Sequence, residues 1–114
     1  MKYNQREIVL VPFPYSDLTA LKKRPVIILS NNDYNENHQD VVVAAITSNE
    51  FIDDYSVILD DESLDYGILP EKSVIKLGKL FSINKSKIIK KFSIVKSEKY
   101  AEIILKISQL IKES

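Results

Sequence analysis

Arginine is scarce in this chain of 114 residues, which directs attention to the two positions that carry it. Fourteen lysines accompany only Arg6 and Arg24, and Arg24 lies between Lys22-Lys23 and Pro25 at the start of an apolar run. Proline biases the residue before it toward extended backbone, so the Arg24 guanidinium is expected at a strand entrance. There it could hold a phosphate with two parallel hydrogen bonds and stabilise the extra charge of a pentacovalent transition state.

A purely structural role for Arg24 is the alternative, because acids are concentrated elsewhere in the chain. Residues 1–30 carry a net charge of +3, residues 31–71 carry −11 and residues 72–114 carry +8, which sum to zero. This asymmetry could create separate positive and negative lobes, or solvated faces that neutralise each other on folding. On composition alone, an edge-strand ion pair between Arg24 and one of these acids is favoured.

Other catalytic and metal chemistry finds little support in the residue types. The absence of cysteine excludes disulfides, thiolate metal sites and cysteine nucleophiles. Gly67 and Gly78 are too far apart to form a phosphate-binding glycine loop. His38 has no second histidine or cysteine to complete a zinc site, and is expected to be exposed in a loop. Two acidic pairs, Asp53-Asp54 and Asp60-Asp61, lack the regular spacing of a calcium-binding loop and are interpreted as solvated turns. We expect neither a metal nor a cofactor.

Short runs rich in valine and isoleucine predict that most of the chain is β-structure. Proline lacks the N–H needed for the strand ladder, so the first strand is expected to close at 12–14. The continuously apolar run at 41–46 predicts a strand covered on both sides. Strands at this spacing are typical of a small barrel or curled sheet. They are predicted at 8–11, 25–29, 41–46, 56–59, 73–77, 79–83 and 89–95.

The C-terminus is predicted to be the one long helix, with Ser97 as its N-cap. Two polar stretches, 13–23 and 31–40, are predicted to be loops. The length fits a single domain over 1–114. No apolar run is long enough for a signal-peptide core or a membrane span, so a cytoplasmic protein is expected. The helix's apolar stripe comprises Tyr100, Ile103, Ile104, Ile107, Leu110 and Ile111.

Four segments, taken in order, resemble those of a known family. Residues 7–18 (EIVLVPFPYSDL) and 23–30 (KRPVIILS) closely resemble the opening of PemK/MazF-like toxins. Residues 44–48 (AAITS) resemble the family's next strand with its terminal Thr-Ser step, and 73–85 (SVIKLGKLFSINK) resemble its later strand pair. The resemblance therefore extends over nearly the whole chain.

The resemblance implies a mainly β (α+β) fold, namely an SH3-like, PemK-type barrel of about six to seven strands with a C-terminal α-helix. It also implies a homodimer whose site is blocked by a cognate antitoxin, with operator DNA contacted only through that antitoxin. The implied activity is sequence-selective, metal-independent cleavage of single-stranded RNA. In that reaction the ribose 2′-OH attacks the adjacent phosphate and leaves a 2′,3′-cyclic phosphate and a 5′-OH.

By the same resemblance, particular residues of this chain acquire roles. Arg24 matches the catalytic arginine, which stabilises the phosphorane and donates a proton to the leaving oxygen. Thr47 matches the second catalytic residue, whose hydroxyl bonds the scissile phosphate, and Ser48 lies beside it in an RNA-binding position. The loop 13–23 matches a segment that covers bound RNA. Further RNA contacts are expected from Phe13, Pro14, Lys22, Lys23 and Lys79 through base stacking, phosphate attraction and base contact.

Two departures from the family pattern are visible. Arg6 stands where the family usually has glycine, and Gly78 stands where many members carry an acid, which leaves the general base unassigned. Two other functions stay open: a non-catalytic toxin of the same fold that binds a protein target, like the gyrase-poisoning CcdB, and a barrel that only binds nucleic acid. Loss of RNA cleavage on replacing Arg24 separates the ribonuclease from both.

Overall fold

The computed structural model describes residues 1–14, 21–48, 52–69 and 71–114, and in 13, 14 and 21 only the backbone. The Val- and Ile-rich runs form strands in these ranges, as their β-branched side chains favour. The chain order is β1 (Glu7–Pro14), β2 (Leu21–Ile28), α1 (Asn32–Asn37), β3 (Asp40–Ser48), β4 (Ser56–Leu59), β5 (Ser73–Asn84), β6 (Lys90–Ile94) and α2 (Ser97–Ile111), with 3₁₀ turns at Asp61–Ser63 and Lys85–Lys87.

The described strands form one antiparallel sheet in the order β4-β5-β3-β2-β1-β6. Its curl is helped by irregularities in pairing, because a bulge bends the strand that carries it. Opposite β5, Ala44 pairs with Leu80 while the next residue, Ala45, pairs with Lys76, so 77–79 have no partner on β3. The strands predicted at 73–77 and 79–83 are therefore one bent strand. The predicted mainly β fold with a C-terminal helix is confirmed.

Strand β1 extends further than its prolines predicted. It continues through Pro12 to Pro14, and both prolines lie opposite β2 in the pairing register. β6 pairs with the earlier part of β1, at Glu7 to Leu10, and stops before this end. A missing proline N–H costs least where a strand has a partner on one side only.

The sheet has an apolar core on each face because successive side chains of a strand point to opposite sides. Alternating residues of β3 contribute to both, which confirms its predicted central position. On the face that also packs against α2, Ile103 of the helix is fully buried. The first core includes Ile8, Ile27, Ala44, Ile46, Ile75 and Leu77, and the second includes Val9, Val11, Val26, Ile28, Val41 and Val43.

Helix α2 confirms the predicted C-terminal helix but begins differently. Lys96, not Ser97, is the N-cap, and it makes no side-chain capping bond. Its backbone N–H instead donates to the carbonyl of Ser63 at 2.8 Å, so a long-range contact fixes where the helix starts. The stripe is narrower than predicted, since Ile104 and Ile111 are exposed.

The segment predicted as a loop at 31–40 contains helix α1, so that part of the prediction was wrong. Its sequence has no apolar stripe, and polar contacts hold it in place. The Asn31 side chain accepts from Tyr34 N at 2.8 Å. Buried Asn35 donates to the carbonyls of Tyr3 and Ser30 at 3.2 and 3.0 Å. His38 ends this helix, exposed as predicted and stacked on the Tyr34 ring.

The acidic pairs lie in turns, as predicted. Asp53 accepts hydrogen bonds from Tyr55 N and from the Ser56 hydroxyl, both at 2.9 Å. Asp60 and Ser63 form a reciprocal capping box around a 3₁₀ turn. Across the described ranges, no three His, Asp or Glu side chains cluster as metal ligands would. Within those same ranges, no helix combines the length and apolar character that a membrane crossing needs.

Candidate active-site cleft

Arg24 and Thr47 lie on the neighbouring strands β2 and β3. The pairing of these strands runs from Ile28 opposite Val43 to Val26 opposite Ala45, where it ends. Counting two residues further along each strand from that pair reaches Arg24 on β2 and Thr47 on β3. Because side chains alternate between faces, both residues lie on the face of Val26 and Ala45. The two residues assigned catalytic roles by resemblance thus lie on adjacent strands, and both line the cleft described next.

A cleft of about 310 Å³ opens at this end of the sheet. Its lining is cationic along β2 and includes hydroxyl residues from β3 and β5. Apolar side chains complete the wall. The lining comprises the cations Lys22, Lys23 and Arg24, the hydroxyl residues Thr47, Ser48 and Ser73, the acid Glu71, and the apolar residues Leu10, Pro25, Ile46, Leu69 and Phe92.

The degree of burial within the cleft suits charge stabilisation. Lys22 and Lys23 are exposed, whereas Arg24, Thr47 and Ser48 are half-buried. A half-buried guanidinium is less screened by solvent and salt than an exposed one, so it acts more strongly on an anion beside it. Exposed lysines would add longer-range attraction for a polyanion.

The Thr47 hydroxyl donates to the backbone carbonyl of Ser48 at 3.2 Å. A hydroxyl has one proton to donate and rotates freely, so Thr47 would turn from this carbonyl to donate to a phosphate oxygen. The existing bond is a long one, and exchanging it for a bond to a charged acceptor is favourable.

Five of the eight predicted site residues line the cleft, and the other three have different outcomes. Lys79 is exposed in the unpaired segment of β5 and is not part of the lining. Phe13 and Pro14 belong to β1, where they pair with Lys22 and Leu21, but their side chains lie outside the described residues. The covering loop predicted at 13–23 is shorter than expected, because 13–14 belong to β1 and 21–23 to β2, and its remaining residues, 15–20, lie outside the described ones. The RNA contacts of all three residues stay predictions.

Glu71 is a cleft residue that the sequence motifs did not single out. It lies two residues before the start of β5, and its backbone carbonyl accepts a bond from the Ser73 hydroxyl at 3.1 Å. The signal that could have found it is positional. If 73–77 pairs antiparallel with the strand ending in Thr47-Ser48, an acid just before residue 73 lies near that Thr-Ser step. Gly78, by contrast, does not line the cleft.

A curled antiparallel sheet closed by a C-terminal helix, with a cationic cleft at one end, defines the chain as a protein of the MazF fold. One similar structure is an endoribonuclease in complex with its cognate antitoxin from a mycobacterial species, with a TM-score of 0.79 at 14% identity over 98% of this chain and 99% of that one. The MazE–MazF complex of Deinococcus radiodurans gives 0.79 at 17% identity over 100% of both chains. The Mycobacterium tuberculosis toxin MazF-mt6 gives 0.75 at 19% identity, over 91% of this chain and 94% of that one.

The sequence also identifies the family. Residues 4–111 match the model of the PemK-like, MazF-like toxins of type II toxin–antitoxin systems. The chain therefore belongs to this family, as its sequence motifs predicted. A direct comparison with curated protein sequences gives no significant match.

Proposed function

We propose that the protein is the toxin of a toxin–antitoxin pair, a sequence-selective endoribonuclease that cleaves single-stranded RNA without a metal ion. The observation that carries this proposal is that Arg24 and Thr47, on the adjacent strands β2 and β3, line the same cationic cleft. Family membership supports it, and so does similarity of fold to proteins named as endoribonucleases.

The cleft residues supply the electrostatic part of this chemistry. Lys22 and Lys23 attract the RNA backbone, and Arg24 binds the scissile phosphate with two parallel hydrogen bonds. When the 2′-OH attacks phosphorus, extra negative charge collects on the phosphoryl oxygens, where the Arg24 guanidinium and the Thr47 hydroxyl stabilise it. The departing 5′-oxygen is a stronger base than a neutral guanidine, so it can take a proton from Arg24. The products are a 2′,3′-cyclic phosphate and a 5′-OH.

The partners proposed for this single-domain protein follow from the same family. Two of the similar structures are complexes with antitoxins, which supports a cognate antitoxin that blocks the cleft. A homodimer, and operator DNA contacted only through the antitoxin, complete this proposal. Cellular RNA as the substrate places the enzyme in the cytoplasm.

A cleavage assay with total bacterial RNA in excess EDTA tests the activity. The wild-type protein should fragment the RNA, and the fragments should accept a 5′ label from polynucleotide kinase without phosphatase treatment, because their ends are 5′-OH. Arg24→Ala should lower the rate by about 10²–10³-fold, the usual loss for one transition-state donor. Thr47→Val, which removes the hydroxyl at nearly constant volume, should also slow cleavage, whereas Thr47→Ser should retain most of it.

Lys87→Ala provides the matched control, since Lys87 is an exposed cation in a 3₁₀ turn that does not line the cleft. It should cleave at the wild-type rate. Intact RNA with the wild-type protein would refute the proposal. If that intact RNA were retained in a salt-dependent manner, a barrel that only binds nucleic acid would replace it.

A further inference from the structure

The general base is the missing participant in this reaction, and among the described residues one acid lines the cleft. We propose that the Glu71 carboxylate accepts the proton of the attacking 2′-OH. This inference rests on the proposed ribonuclease function. Of the twelve residues that line the cleft in the described part of the chain, Glu71 alone is acidic.

The order of the strands places Glu71 and Arg24 on opposite sides of the cleft. β3 lies between β5 and β2 in the sheet, so Thr47 and Ser48 separate the residues before β5 from those on β2. Attack by the 2′-oxygen and departure of the 5′-oxygen occur in line, on opposite sides of phosphorus. A phosphate bound at Thr47 on β3 would therefore have Arg24 on the β2 side and Glu71 on the β5 side. An in-line displacement needs its proton donor and acceptor in that arrangement.

Local contacts hold the segment around Glu71 in place. Ser73 pairs with Ser48 across β5 and β3, and the nearly buried Ser73 hydroxyl donates to the Glu71 carbonyl. The main chain of Glu71 is thereby tied to the strand that carries the Thr-Ser step. Glu71 is exposed and lines the cleft, and it is not a partner in the ion pairs that join Lys2 to Glu36, Lys91 to Glu7 and Lys99 to Glu102.

The proton and electron balance of the step is complete with these two residues. The 2′-O–H bond breaks and its proton passes to the Glu71 carboxylate, while the 2′-oxygen forms a bond to phosphorus. The P–O5′ bond then breaks, and the 5′-oxygen receives a proton from Arg24. Exchange with water returns Glu71 to the carboxylate and Arg24 to the guanidinium, so no further reactant is consumed.

This assignment also accounts for Gly78. An acid at that position is common in the family, yet Gly78 is exposed in the unpaired segment of β5, away from the cleft lining. Glu71 approaches the Thr-Ser step from the start of the same strand. In this chain, the loss of the acid at position 78 need not remove the proton acceptor.

The test compares Glu71→Gln, Glu71→Asp and Glu71→Gly with Glu62→Gln, a control acid that is exposed and lies outside the cleft. The substrate is a random-sequence pool of single-stranded RNA, and binding is measured separately with the 2′-deoxy form of the same pool, which cannot be cleaved by this route. Glu71→Gln should lower the cleavage rate about 10²-fold or more, as loss of a general base does, while affinity for the 2′-deoxy pool stays within twofold of wild type. The cleavage rate of Glu71→Asp should fall between those of the wild type and Glu71→Gln. Glu62→Gln should cleave at the wild-type rate.

Added formate should restore cleavage to Glu71→Gly in a concentration-dependent manner and leave the wild type unchanged, an effect that lost packing would not produce. If the wild type cleaves and Glu71→Gln cleaves equally fast, the role of Glu71 is refuted while the ribonuclease proposal stands. Reduced cleavage with equally reduced binding, or no response to formate, also refutes it. An inactive wild type refutes the proposed function itself.

Discussion

The buried carboxylate of Glu7 offers the sharpest test of what holds the sheet together. Its Oε1 accepts a hydrogen bond from Asn4 N at 2.6 Å, and its Oε2 lies 3.2 Å from Lys91 Nζ. The Glu7 side chain is 9% exposed and that of Lys91 is 32% exposed. Glu7 therefore joins the N-terminal turn to β6, the strand at one edge of the described sheet.

The expected loss of folding stability can be estimated from these two contacts. A hydrogen bond to a charged acceptor contributes about 1.5–3 kcal/mol. The ion pair adds about 1 kcal/mol or less, because water screens the partly exposed Lys91. Glu7→Ala should thus lower the free energy of unfolding by about 2–4 kcal/mol. Glu7→Gln keeps an oxygen to accept from Asn4 and should lose about half as much.

Urea unfolding followed by circular dichroism measures these differences, with the midpoint shifting at constant slope. Glu36→Gln is the matched control, because Glu36 makes its ion pair with Lys2 at the surface, where the side chains are 55% and 64% exposed. Its midpoint should hardly move. Equal losses for Glu7→Gln and Glu36→Gln, or a Glu7→Ala loss within experimental error, would show that the carboxylate does not stabilise the fold in this way.

Three further predictions concern backbone strain and pH. Arg6 has a φ of +77°, and its Nη1 donates to the Val95 carbonyl at 2.8 Å; Arg6→Ala should lower the melting temperature, and Arg6→Gly should lower it less because glycine accepts this φ at no steric cost. Burial raises the pKa of Tyr100, whose hydroxyl donates to the Leu29 carbonyl at 2.9 Å. The stability that Tyr100 contributes should be present below pH 10.0, the ordinary pKa of tyrosine, and lost as pH rises through the higher folded pKa. Thermal unfolding at alkaline pH should show this loss in the wild type but not in Tyr100→Phe. Hydrogen bonds from Tyr55 N and the Ser56 hydroxyl lower the pKa of Asp53. The stability that Asp53 contributes should therefore be present above pH 3.8, its ordinary value, and disappear as pH falls through the lower folded pKa. In acid unfolding, Asp53→Asn should lose stability less steeply with falling pH than the wild type.

Local patterns determined which segments form the larger elements. The short run at 56–59 predicted β4 with both its ends, since three consecutive β-branched or aliphatic residues, Val57 to Leu59, favour a strand and polar residues flank them. The stripe around Ile103 predicted α2 because one buried helix face requires that spacing. The short helix α1 has no such pattern. It depends on hydrogen bonds from Asn35 to the carbonyls of Ser30 and Tyr3. Tyr3 is 32 residues from Asn35 in the sequence, so only folding brings the two together.

The candidate site was likewise predicted only in part from the sequence. Motifs identified Arg24 and Thr47 as individual residues, but composition alone favoured an ion-pair role for Arg24. Only the placement of β2 beside β3 brings the two into one cleft, and strand order is a property of the folded chain. Glu71 enters the cleft because β5 lies beside β3 and Ser73 pairs with Ser48. The sequence by itself determined the family, most of the strands and the cationic residues; the tertiary structure decided which acid of the described residues shares a cleft with the arginine, because strand pairing brings together residues that no local pattern connects.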